Sequence, residues 1–114
     1  DNAGGDFRMA LNYGGVSIAY KATDMGTGAI DANGYIDAVL YASGATNTQE
    51  GSISLDAKNT SILGTQAGYA NTGAVGTGVI DSTVDQTLSV TISFSLSDAG
   101  STFTAANGYM EIIK

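Results

Sequence analysis

The chain has 114 residues, 43% of them hydrophobic, and its 11 carboxylates against four basic groups give a net charge of -7; a chain of this length can bury roughly two thirds of the surface its unfolded form would expose. With neither cysteine nor histidine, thiol chemistry, the usual zinc sites and imidazole acid–base catalysis are excluded. The charge opposes binding to phosphate backbones and anionic lipid, and no run approaches the roughly 18 apolar residues of a membrane span.

Alternation of apolar and polar residues with period two runs from end to end. Phe7, Met9, Leu11 and Tyr13 form a first row, and after Gly14-Gly15 the residues Val16, Ile18 and Tyr20 form a second. Two strands around a two-glycine turn predict a β-hairpin. Residues 24–33 read as a connection. Within it and just beyond, Asp31, Asn33 and Asp37 faintly suggest a calcium loop, but the acidic start and closing glutamate of that pattern are missing. A turn at Asn33-Gly34 is the reading we adopt.

A strand is expected at 34–42, a polar connection at 43–49, a strand at 50–56 and a short extended piece at 61–63. Residues 64–78 hold five glycines and only Tyr69 as a large side chain, which predicts a mobile loop or a segment ordered by a neighbouring subunit. No Lys-Ser or Lys-Thr follows its glycines, so a phosphate-cradling loop is unsupported. A further extended piece is expected at 79–81. Asp81 and Asp85 then read as turn formers that bond neighbouring amides, not as an acid–base pair.

The clearest strand is 87–96, with Leu88, Val90, Ile92, Phe94 and Leu96 on one side and Thr87, Ser89, Thr91, Ser93 and Ser95 on the other. A Ser- and Ala-rich connection at 98–107 leads to a last strand at 109–113. Seven or so short strands in one domain predict an all-β, antiparallel sandwich of jelly-roll type. Proline, a common guard of exposed strand edges, is absent. We therefore expect other copies of the chain to cover those edges.

In its strand order and linkers the chain resembles a family of small bacteriophage virion domains with a jelly-roll sandwich. The segment 81–96, DSTVDQTLSVTISFSL, is similar to that family's Asp- and Thr-rich turn leading through Gln-Thr-Leu into a long alternating strand. Residues 12–18, the strand at 35–41 followed by Gly44-Ala45-Thr46, and the closing Tyr109-Met110-Glu111-Ile112-Ile113 fit the same layout. The resemblance implies a virion protein of capsid-decoration, fibre or appendage type, commonly a homotrimer, with no catalytic residues and no cofactor. It also implies further strands ahead of Asp1, and the absence of an initiator Met leads us to expect a piece of a longer protein.

The expected function is thus structural: packing of subunits with each other and with other virion proteins, and attachment to a host surface glycan as an additional role. The expected subunit interface is the hydroxyl face of Thr87, Ser89, Thr91, Ser93 and Ser95, where small side chains let backbones approach. Tyr69, Gly73 and Gly76 are the expected partner contacts. No catalytic, cofactor or metal residues are assigned. A carbohydrate-binding module using loop tyrosines and the subunit of a bacterial surface filament are the rival readings.

Overall fold

The computed structural model describes residues 6–24, 32–59, 69–94, 104–105 and 108–111. These form six strands, β1 (Asp6–Tyr13), β2 (Val16–Asp24), β3 (Ala32–Ala42), β4 (Gln49–Asn59), β5 (Tyr69–Gly78) and β6 (Leu88–Phe94). All pairings are antiparallel, and they build two three-stranded sheets of order β2-β1-β6 and β3-β4-β5. The protein is all-β, and the two sheets pack as a sandwich.

The β1–β2 hairpin turns where the sequence places it. Gly14 and Gly15 both have positive φ, 59° and 79°, the pair of left-handed conformations that a two-residue hairpin turn needs and that glycine adopts without steric cost. The Gly14 amide donates to the Thr87 carbonyl at 3.0 Å, tying the turn to the start of β6.

β1 supplies the centre of the core. Phe7, Met9 and Leu11 are buried and meet Ala19 from β2 and Ile53 from β4, while Phe7 stacks edge-on against Phe94 of β6 with ring centroids 5.9 Å apart. The second sheet turns Ile53 and Leu55 of β4 and Ile36, Ala38 and Leu40 of β3 toward this cluster. Burial decreases outward from β1 and β4. Ile36, Ala38 and Leu40 on β3 are only half-buried, and so are Leu88, Ile92 and Phe94 on β6.

Ile18 departs from the simple alternation. Leu11 opposes Ala19 but Asn12 opposes Ser17, so a β-bulge leaves Ile18 as the extra residue on β2. Ile18 and Ala19 are consequently both buried, whereas Val16 and Tyr20 face solvent. The expected single row of Val16, Ile18 and Tyr20 is therefore split. The bulge aims Ile18 at the second sheet, where β5 runs close to β2. A Cβ on Gly76 would stand 1.9 Å from the Ile18 carbonyl oxygen, and one on Gly78 would stand 2.1 Å from its Cδ1.

Several expectations change accordingly. Of the expected loop at 64–78, residues 64–68 lie outside the described residues, and residues 69–78 are strand β5, paired along its length with β4. Its glycines serve close packing, a role that composition alone cannot distinguish from flexibility. Asn33-Gly34 is not a turn either. Gly34 lies within β3 opposite Ala57, with a negative φ, and a Cβ there would meet the Asp56 carbonyl oxygen at 2.0 Å.

Residues 79–81 form no strand, and the described residues 109–111 are exposed and unpaired with any strand. The expected piece at 61–63 lies outside the described residues, as do Ile112, Ile113 and most of 98–107. The expected connection at 43–49 is a connection over 43–48, with Gln49 opening β4 instead. Gly44 has φ 88°, and the Ser43 amide donates to the Thr48 carbonyl at 2.9 Å.

The β5 contact on β2 yields a stability test. Gly76→Ala should cost about 3 kcal/mol, because its methyl must displace backbone. Gly15→Ala, with open space around its Cβ, should cost only the roughly 1–2 kcal/mol of left-handed strain. Urea unfolding of both variants checks the order, and equal losses would contradict the packing described.

Candidate functional site

Strand alternation gives each sheet an outer face that carries most of the described strand charges and hydroxyls; Lys21, Thr23 and Thr72 fall instead in the inward rows, opposite Met9, Phe7 and Leu55, and the Thr23 hydroxyl is buried. On the first sheet the register aligns Ser89 with Asn12, Thr91 with Ala10 and Ser93 with Arg8. Asn12 Nδ2 donates to Thr91 Oγ1 at 3.1 Å and lies 3.5 Å from Ser89 Oγ. Thr87, Thr91 and Ser93 are exposed, while Ser89 is half-buried. Ser89, Thr91 and Ser93 therefore share the outer face of β6, where Asn12, which the sequence did not single out, bonds Ser89 and Thr91, while Thr87 precedes the strand. Ser95 lies outside the described residues.

The outer face of the second sheet has a different character. Opposed across β3, β4 and β5 are the rows Tyr41–Glu50–Thr77, Val39–Ser52–Val75, Asp37–Ser54–Gly73 and Tyr35–Asp56–Asn71. Four large side chains stand open to solvent on this face: Val75 at 85% exposure, Tyr35 at 65%, Tyr41 at 53% and Val39 at 50%. Two shallow depressions lie along it, one bordered by Ser52, Ser54, Gly73 and Val75 and the other by Tyr41, Glu50, Ser52 and Thr77.

Each tyrosine on β3 is tied to the carboxylate opposite it. Tyr35 donates its hydroxyl to Asp56 Oδ2 at 2.9 Å, and Tyr41 donates to Glu50 Oε2 at 2.7 Å. Ser43 also donates to Glu50, at 3.0 Å to Oε1. Directly opposed Cβ atoms lie about 5 Å apart, so a phenol that reaches the neighbouring carboxylate leans toward β4. Two phenols thus lean across the same face, about 20 Å apart by strand rise.

The bonds leave an electrostatic signature. Tyr35 and Tyr41 have pKa values above the ordinary phenol range, first because the hydroxyl proton is held by a carboxylate and second because that carboxylate is negative. Glu50 is lowered by the donated hydroxyls of Tyr41 and then Ser43. For the tyrosines this contribution to stability is present below the free phenol value and lost as pH rises through the raised one. For Glu50 it is present above the ordinary carboxyl value and lost as pH falls through the lowered one.

Asp81 forms the local turn expected of it. Its Oδ1 accepts from the Thr83 amide at 2.9 Å and the Thr83 hydroxyl at 2.5 Å, and these bonds lower its pKa. A residue with no distinguishing local pattern fixes this connection to the sheet. Gln49, a buried polar side chain, donates Nε2 to the Ile80 carbonyl at 2.7 Å and accepts from the Ile80 amide at 3.0 Å. Among the described residues, no three His, Cys, Asp or Glu side chains gather as a metal site.

The expected partner contacts occupy different positions. Gly73 is exposed on the outer face of the second sheet, whereas Gly76 is half-buried and packs toward Ile18. Tyr69 is the first residue of β5, in register with Lys58. No family model, curated protein or solved structure matches the chain.

A spectrophotometric titration tests the leaning phenols. Part of the tyrosine absorbance change should come at higher pH than free phenol requires. Tyr41→Phe should remove part of that late fraction and move Glu50 back toward its ordinary value. A titration unchanged by the substitution would contradict the Tyr41–Glu50 bond.

Proposed function

We propose that the chain is a structural module that works by packing against other copies of itself and against other proteins of an extracellular particle. A bacteriophage virion is the setting, of capsid-decoration, fibre or appendage type, and the jelly roll is the finer fold description. The observation that carries this reading is the outer face of the second sheet. Four large apolar or aromatic side chains stand open there at half exposure or more, and exposed patches of this kind mark contact surfaces. The hydroxyl face of β6 offers a second surface, on which the Asn12 amide donates to Ser89 and Thr91 without charge. The virion setting itself rests on the resemblance of residues 81–96 and the segments around it.

Sedimentation of the wild type and of Thr91→Lys tests the assembly. The wild type should sediment as a closed oligomer, a trimer if the family layout carries over. A lysine at Thr91, exposed on the β6 face, should lower the assembled fraction about tenfold or more if that face is packed. A wild type that remains monomeric at high concentration would overturn the reading.

One observation favours a second reading, a carbohydrate-binding module. The exposed, leaning phenols of Tyr35 and Tyr41 lie on a face that also carries hydroxyls and carboxylates, the equipment with which sugar rings are stacked and hydrogen-bonded. Binding on a glycan array that is lost in Tyr35→Ala and Tyr41→Ala, with Tyr69→Ala tested alongside, would favour this reading. Oligomers without any glycan signal would favour the structural one.

A further inference from the structure

The edge of the second sheet formed by β3 differs from every other edge in the fold. β3 runs for 11 residues in unbroken register with β4 and ends the sheet, so among the described residues its far side has no strand partner. Such an edge is a template for another strand unless a lysine, proline, bulge or short length blunts it. β3 has none of these, and Asp37 is its only charge. Two other edges are guarded: β2 carries the bulge and Lys21 and lies beside β5, which shelters the edge of β5 in turn. β6, the remaining edge, spans seven residues against the eleven of β3, so β3 is the longest open edge among the described residues.

The inner row of β3 is also unfinished. Ile36, Ala38 and Leu40 point toward the core yet remain half-buried, as expected where one more strand would complete the apolar layer. The sequence along this edge, Tyr-Ile-Asp-Ala-Val-Leu-Tyr from Tyr35 to Tyr41, has nearly the same character read in either direction.

We propose that β3 pairs antiparallel with β3 of a second copy across a two-fold axis at Ala38, joining two three-stranded sheets into one of six. This rests on the reading that copies of the chain cover one another, and it adds a two-fold contact separate from the β6 face, one that would join two trimers built through that face. In that register Tyr35 opposes Tyr41 of the second copy, Ile36 opposes Leu40, Asp37 opposes Val39 and Ala38 opposes itself. Aromatic and aliphatic cross-strand pairs are favourable, and like charges directly opposed are not. An axis at Asp37 would set carboxylate against carboxylate, and an axis at Val39 would leave Tyr35 without an aromatic partner. The Ala38 axis satisfies all seven positions. It is isologous and closes on itself, as a two-fold contact must. The two Asp37 side chains then lie diagonally on the wet outer face, where salt screens them.

The chain has no cysteine, so single cysteines introduced into it can report the register. Ala38→Cys should form disulfide-linked dimers on mild oxidation, since directly opposed Cα atoms stand about 4.5–5.5 Å apart. Tyr35→Cys, although more exposed, should stay unlinked, because in this register it lies about 20 Å from its own copy. Sedimentation equilibrium of two Val39 variants adds the sign of the contact. Val39→Lys, facing Asp37, should associate at least as tightly as wild type, and Val39→Asp should associate about tenfold more weakly.

Equal weakening by both Val39 variants, or linking of Tyr35→Cys in place of Ala38→Cys, would overturn the proposed register. An oligomer in which Ala38→Cys does not link would overturn the β3 contact while leaving the structural function standing. A wild type monomeric at every concentration would overturn both, and would assign the cover of β3 to the chain's own residues.

Discussion

The fold depends on one close contact between backbones. Ile18, displaced inward by the β-bulge in β2, meets β5 where Gly76 and Gly78 have no side chains to obstruct it. This contact brings the two sheets together at the β2–β5 side. It also closes over Met9, Leu11 and Ile53, the largest fully buried side chains. A small core of this kind stabilises the centre of the sandwich, and the burial it provides falls away toward β3 and β6.

The distribution of burial links the architecture to the proposed role. Where the sheets meet, apolar residues are covered within the chain. On the opposite side, the inward rows of β3 and β6 are half-covered, and Val90 on the inward row of β6 is 45% exposed. On the outer face of the second sheet the leaning phenols and two valines are open. An apolar surface left incomplete on a chain with a charged content of 13% gains most from a second protein surface, because few ionised groups must be desolvated when it is covered.

The extent to which this was legible in the sequence follows from what period-two patterning can encode. β1 and β6 were readable because each alternates cleanly, and the hairpin was readable because Gly14-Gly15 can form only a small set of turns. β5 was not, since its glycines are selected by the proximity of β2, a tertiary fact with no local signal. Asn33-Gly34 failed for the same reason, its glycine answering to the Asp56 carbonyl. The hydroxyl row from Thr87 to Ser93 was visible as a surface. The Tyr35–Asp56 and Tyr41–Glu50 pairs were not, because they depend on the register of β3 against β4, and Gln49 carries no pattern that separates a buried clamp from a surface amide.

The central claim is that sibling chains, and not water alone, cover the unfinished edge and faces of this sandwich. Hydrogen exchange of the β3 backbone amides, measured over a hundredfold range of protein concentration, addresses it directly. The account predicts that protection of the amides on the free side of β3 rises with concentration while protection in β1 stays constant. Fast exchange of those β3 amides at every concentration would contradict it.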